Sequence, residues 1–139
     1  FEDWNRLYGK RGFFQFQCVL PKEGGAANEL LQKVVGSGAG SFLSVIKVFG
    51  NLASPGLLSF PREGVTLCFD FANRGPKTVD FLKGLDRFIR ESGGRVYPAK
   101  DAVMSPESYE AYFPAWREFT KYMDPNFSSS FWRRVTGKN

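Results

Sequence analysis

Phe13-Phe14-Gln15-Phe16-Gln17-Cys18-Val19-Leu20, closed by Pro21, reads as a β-strand: bulky apolar residues, two amides at a spacing of two, and a proline stop. The chain around it sorts by period. Glu2-Asp3-Trp4-Asn5-Arg6-Leu7-Tyr8 is a helical or irregular lead-in, and Gly9 to Gly12 make a turn. Downstream, residues 23–36 predict a helix with Ala27, Leu30, Leu31, Val34 and Val35 on one stripe. Gly36-Ser37-Gly38-Ala39-Gly40 ends it. Phe42 to Phe49 predicts a second strand, rich in β-branched and aromatic residues. Residues 50–64 are a loop, and Val65 to Phe71 a third strand. Asn73-Arg74-Gly75-Pro76 turns into a helix over 77–92, with Phe81, Leu82, Leu85, Phe88 and Ile89 as its apolar stripe. Gly93-Gly94 stops that helix, and Arg95-Val96-Tyr97 is a short fourth strand. The order β-α-β-β-α-β predicts an α+β fold, ferredoxin-like, with four antiparallel strands and both helices on one face.

Beyond residue 101 the chain changes character. Ser105-Pro106-Glu107 is an N-cap followed by proline at the first helical position. Tyr109, Tyr112, Phe113, Trp116, Phe119 and Met123 form a helical aromatic stripe, with a break expected at Pro114. Phe127, Phe131 and Trp132 predict a last short helix ending in Arg133-Arg134. The expected organisation is a core over residues 1–101 and a helical tail over 102–139 packed with it. No internal repeat, low-complexity tract or linker interrupts the chain.

At 139 residues the chain suffices for one domain. It is 42% hydrophobic and 24% charged, which excludes a disordered tail. No apolar run is long enough for a spanning helix, and no signal-peptide pattern opens the sequence. The first residue is Phe1, so a longer parent chain is expected. The absence of histidine excludes His-based triads and imidazole general bases within this segment. Cys18 and Cys68 alone can neither staple a fold nor fill a zinc site, so no metal is expected. Two unpaired cysteines are compatible with a cytoplasmic location. A net charge of +5 is a weak pull towards acidic partners.

Alternation sorts the strand residues into two faces. Phe14, Phe16, Cys18 and Leu20, with Phe42, Ser44, Ile46, Val48, Val65, Leu67, Phe69 and Phe71, should meet the helices. The other face collects Gln15, Gln17, Val45, Lys47, Phe49, Thr66, Cys68 and Asp70. That set of amides, cation, hydroxyl, thiol and aromatic suits a polar ligand laid on a rigid sheet. A solvated face with Lys47 and Asp70 as a surface pair is the plain alternative. Cys18 belongs to the core on this reading. Lys100, in Tyr97-Pro98-Ala99-Lys100-Asp101, is a loop cation with no assigned role from pattern alone.

An RNA-recognition module also carries aromatics on such a sheet. Arg11-Gly12-Phe13-Phe14-Gln15-Phe16 echoes its basic-Gly-aromatic motif, but Phe14 occupies a small-residue position and the motif belongs on the third strand. Nucleic acid is therefore not the expected partner.

Several segments together carry a resemblance. They are Glu2-Asp3-Trp4-Asn5-Arg6-Leu7-Tyr8-Gly9, Gly12 to Pro21, Ser41 to Gly50, Leu58-Ser59-Phe60-Pro61 and Gly94-Arg95-Val96-Tyr97-Pro98-Ala99-Lys100-Asp101. In order and spacing, from Phe1 to about Arg134, they resemble the C-terminal half of FAD-linked oxidases of the vanillyl-alcohol-oxidase superfamily, nearest the prenyl-phosphosugar oxidases. The resemblance implies a substrate (cap) domain that closes over FAD held by an upstream domain absent here. It implies that this piece alone binds flavin poorly and is inactive.

The implied substrate contacts are Gln15, Gln17, Val45, Lys47, Phe49, Thr66 and Cys68. Cys68 would lie beside the flavin, and Lys100 would be the active-site lysine near its pyrimidine end. Thr66 stands where the prenyl-phosphosugar oxidases carry an asparagine, and loop 50–57 differs from theirs. The implied activity is oxidation of a secondary alcohol of a sugar, prenyl-phosphosugar or polyol by hydride transfer to flavin. The implied partners are that substrate and the chain's own FAD domain. An aldonolactone or polyol oxidase using oxygen, and a non-catalytic module binding RNA or protein, are the alternatives.

Overall fold

A computed structural model describes residues 6, 8–40 and 44–137. The lead-in at 2–5 and the first two residues of the predicted second strand, Phe42 and Leu43, lie outside the described residues. The elements are β1 (Phe13–Leu20), α1 (Ala26–Gly36), β2 (Ser44–Phe49), β3 (Gly64–Ala72), α2 (Pro76–Glu91) and β4 (Arg95–Val96). A 3₁₀ turn (Pro98–Lys100) follows, then α3 (Pro106–Tyr112), α4 (Trp116–Phe119), a second 3₁₀ turn (Thr120–Tyr122) and α5 (Ser130–Thr136).

The sheet order is β2-β3-β1-β4, with every neighbouring pair antiparallel. Each β-α-β crossover therefore steps over one strand, the split pattern of ferredoxin-like α+β folds. The helices pack on one face and the additional C-terminal helices complete the molecule.

Phe16, Cys18, Leu20, Leu67, Phe69 and Phe71 are buried on that covered face, beneath Leu30 and Val34 of α1 and Leu82, Leu85 and Ile89 of α2. Each large side chain removed from water there contributes about 1.5–3 kcal/mol. Local chemistry sets the entry to α2. The Asn73 side chain accepts from the Gly75 amide at 2.9 Å, Gly75 has φ +80°, and Pro76 opens the helix. Gly64 (φ +153°), opposite Phe49, lies so close to β1 that an added Cβ would stand 2.3 Å from the Leu20 carbonyl oxygen.

Two expectations are corrected. Ile46 and Val48 do not meet the helices: they are 57% and 67% exposed, because β2 is an edge strand that α1 leaves uncovered. Val35 falls off the α1 stripe and is 78% exposed. As expected, the aromatic stripe of the tail breaks at Pro114, with α3 and α4 on either side of it. Its buried members, Tyr109, Tyr112, Phe113 and Trp116, still form core, joined by Trp132 of α5. Ser105 caps α3 as expected, accepting from the Ser108 amide at 3.1 Å.

Candidate functional site

The strand register sets the open face in rows. Gln17 lies opposite Cys68, which lies opposite Val45 on its other side. One step along, Val19, Thr66 and Lys47 make the next row; one step back, Gln15 faces Asp70. All eight residues assigned to this face by alternation share it.

Hydrogen bonds knit the central residues. Gln17 Nε2 donates to Thr66 Oγ1 at 3.2 Å, and the Thr66 hydroxyl donates to the Cys18 carbonyl at 2.9 Å. Gln15 Nε2 donates to Asp70 Oδ1 at 3.2 Å, while Tyr8 donates to Asp70 Oδ2 at 3.3 Å and stacks on Phe13 with ring centroids 4.3 Å apart. Thr66 and Asp70 are thus buried and engaged within the face. Asp70 accepts from Gln15 and Tyr8, an internal network rather than the surface pair with Lys47 of the plain alternative. Burial, and then the Asp70 carboxylate, raise the Tyr8 phenol above the ordinary tyrosine value.

Lys100 reaches this face from outside the sheet. β4 pairs with β1 through Cys18 and Val19, and among the described residues no strand pairs the first half of β1 on that side. Tyr97 N donates to the Gln17 carbonyl at 2.8 Å, and the 3₁₀ turn then brings Lys100 Nζ to 3.3 Å from Cys68 Sγ. The turn leaves a groove of about 330 Å³ lined by Phe13, Phe14, Gln15 and residues 99–102. A cation, a thiol and two amides therefore converge where β1 and β3 are central and rigid. Cys18, in contrast, is fully buried on the other face, and desolvation holds its thiol far above the ordinary range.

The remaining predicted residues are placed less centrally. Val45 and Lys47 share the face but sit on the exposed edge strand; among the described residues Lys47 makes no hydrogen bond or ion pair. Phe49 turns edge-on to Phe60 at 6.1 Å, and Phe60 packs on Tyr97 at 4.7 Å, so Phe49 joins an aromatic wall at one end of the face.

Sequence reasoning missed Tyr8, Phe60, Tyr97 and Arg95. Arg95 lies opposite Val19 and donates to the Ser59 carbonyl at 2.7 Å. Desolvation, and then the neighbouring Arg62, lower its affinity for its proton. A two-residue strand offers no alternation to read, so its face was not legible. Among the described residues no cluster of His, Cys, Asp and Glu could hold a metal ion, and no helix is long and apolar enough to cross a membrane.

No protein-family profile matches the chain. Curated proteins do, among them two bacterial ones. Decaprenylphosphoryl-beta-D-ribose oxidase of Mycolicibacterium smegmatis is 38% identical over 97% of this chain, which spans 30% of that protein. This chain closely matches the C-terminal substrate domain of that protein, an FAD oxidase of the vanillyl-alcohol-oxidase superfamily. An uncharacterized protein in the mprA 5' region of Streptomyces coelicolor is 33% identical over 76% of this chain, which again spans 30% of it. The chain thus covers under a third of the length of either relative.

Proposed function

We propose that this chain is the substrate-binding part of an FAD-dependent oxidoreductase that oxidises a secondary alcohol of a sugar, prenyl-phosphosugar or polyol. The observation that carries it is the contact of Lys100 Nζ with Cys68 Sγ beside the Gln15 and Gln17 amides. These residues suit one edge of a flavin ring: a cation and a thiol at an accessible sheet face, flanked by hydrogen-bonding amides. They do not suit the rest of the dinucleotide. The glycine-dense stretch Gly36, Gly38 and Gly40 leads from a helix towards a strand, the reverse of a phosphate-binding strand-to-helix turn. FAD would be held mainly by the parent chain's other domain.

Bound flavin supplies the hydride acceptor. In this reading Lys100 offers positive charge where negative charge develops on ring reduction. Cys68 lines the flavin side of the pocket. Gln15, Gln17 and Lys47 bind substrate hydroxyls or an anionic group, while Val45, Phe49 and Thr66 shape the pocket. The chain has no histidine, so the hydroxyl proton leaves through Lys100, water or a group elsewhere in the protein. The two free cysteines fit a cytoplasmic location, which belongs to the same proposal.

The test uses the full-length protein. Its purified form should show a flavin spectrum that bleaches anaerobically with a member of a sugar and polyol panel. Lys100→Met should retain flavin yet slow reduction by about 10²–10³-fold, the scale of losing one preorganised charge-stabilising donor. A colourless protein that takes up no added FAD overturns the flavoenzyme reading. Wild-type reduction by Lys100→Met removes the role given to Lys100.

A further inference from the structure

Lys100 ends a three-residue turn, and what fixes that turn comes from two directions. On its N-terminal side, the Tyr97 amide bonds to β1 at Gln17 and the Lys100 amide bonds back to the Tyr97 carbonyl at 3.0 Å. On its C-terminal side stands Asp101, whose side chain is fully buried. Its Oδ1 accepts from the amides of Val103 at 2.9 Å and Met104 at 2.8 Å. Its Oδ2 accepts from Arg134 Nη2 at 2.5 Å. The same guanidinium donates through Nη1 to the Ala102 carbonyl at 3.3 Å and lies 5.5 Å from the Phe131 ring centroid. Arg134 belongs to α5, more than thirty residues from the turn that it grips.

We propose that Arg134 is a positioning residue for Lys100, acting through Asp101: the C-terminal helix holds the active-site turn by a two-pronged grip on residues 101 and 102. The proposal rests on the role given to Lys100 above. Two consequences follow from the geometry. The grip fixes the backbone immediately after Lys100, which the sheet does not reach because β4 stops at Val96. It also commits the Asp101 carboxylate to α5 and to backbone amides. The Lys100 ammonium, one residue away, then faces Cys68 Sγ instead of a carboxylate and keeps its charge available to a ligand. The guanidinium presents Nη1 to the carbonyl and Nη2 to the carboxylate in a fixed plane, a geometry that the point charge of a lysine ammonium on its flexible stem does not impose, so lysine is not an equivalent at position 134.

The experiment compares Arg134→Gln, Asp101→Asn and Lys100→Met, singly and combined, in the full-length flavoprotein. Anaerobic stopped-flow titration with whichever sugar or polyol of the panel bleaches the wild-type flavin separates the limiting rate of flavin reduction from substrate affinity. Arg134→Gln is expected to lower the limiting rate on the order of 10- to 100-fold, the effect of a misplaced group, with substrate affinity changed less than threefold. In the Lys100→Met background the same change should cost nothing further, because the group it positions is gone. A merely structural arginine would lower the rate equally in both backgrounds, and that additive result overturns the proposal. So does a wild-type limiting rate in Arg134→Gln when Lys100→Met is slow. A wild-type rate in Lys100→Met removes the lysine reading itself and is thus distinguishable. Should Arg134→Gln fail to load flavin, Asp101→Asn gives the same comparison, since the amide keeps an acceptor for residues 103 and 104 but loses the ion pair.

Discussion

Asp86→Ala is expected to destabilise the chain by roughly 3 kcal/mol, and the estimate can be worked bond by bond. Asp86 is a buried carboxylate of α2 that accepts from three groups of the next segment: Ser108 Oγ at 2.6 Å, Tyr112 OH at 2.9 Å and the Ser105 amide at 3.4 Å. Truncation does not orphan all three. Tyr112 keeps its bond to the main-chain carbonyl of residue 86 at 2.8 Å, and Ser108 can turn to Ser105 Oγ at 3.2 Å. The Ser105 amide loses its acceptor at a cost of about 1–3 kcal/mol. Two charge-assisted bonds are lost or weakened, at about 1.5–3 kcal/mol each before compensation. Relief of the carboxylate's own desolvation returns part of that sum. With an unfolding entropy of about 0.3 kcal/mol/K for a chain of this length, 3 kcal/mol lowers Tm by about 10 °C. Urea and thermal unfolding followed by tryptophan fluorescence would measure both numbers. A double-mutant cycle with Ser108→Ala should return a coupling of about 1 kcal/mol or more. A loss below about 1 kcal/mol, or a gain, would refute the view that this carboxylate fastens α3 to α2.

Two further outcomes are expected. A thiol reagent should modify Cys68 in the native chain and reach Cys18 only after denaturation, because Cys18 is fully buried and its thiolate is strongly disfavoured; equal native rates would contradict the strand register. Alkaline titration of phenolate absorbance should show Tyr109 ionising at about 12, raised by desolvation, with Tyr112 also delayed by burial and by Asp86. The sign follows from favouring the neutral phenol in the fold. This stabilisation is complete below about pH 10 and is lost as pH rises through the folded values, so base-induced unfolding should coincide with their ionisation.

Much of the fold was legible because β1 and β3 are central strands of a one-sided sheet. Their alternation is enforced by burial: Phe16 and Phe69 cannot leave the helix-covered face without exposing the core. The same rule failed at Ile46 and Val48. Alternation tells which residues share a face; it does not tell whether a helix reaches that face at the edge. The helix of residues 26–36 commits Leu30 and Val34 to the core and leaves β2 bare.

The candidate site divides along the same line. Gln15, Gln17, Thr66 and Cys68 follow from strand period because the sheet carries them. Lys100 does not. Its meeting with Cys68 depends on β4 ending after two residues and on the direction of the turn that follows, neither of which has a period. Only the family resemblance singled it out. Arg134 lay further still from any pattern, since its partner is buried and more than thirty residues away. The residues that sequence periodicity finds most readily are those the sheet already holds still. Those it misses include the loop cation and its anchor, where fixing a charged group calls for contacts remote in sequence. The comparison of Arg134→Gln with and without Lys100 therefore tests the part of the site for which regular secondary structure gives no account.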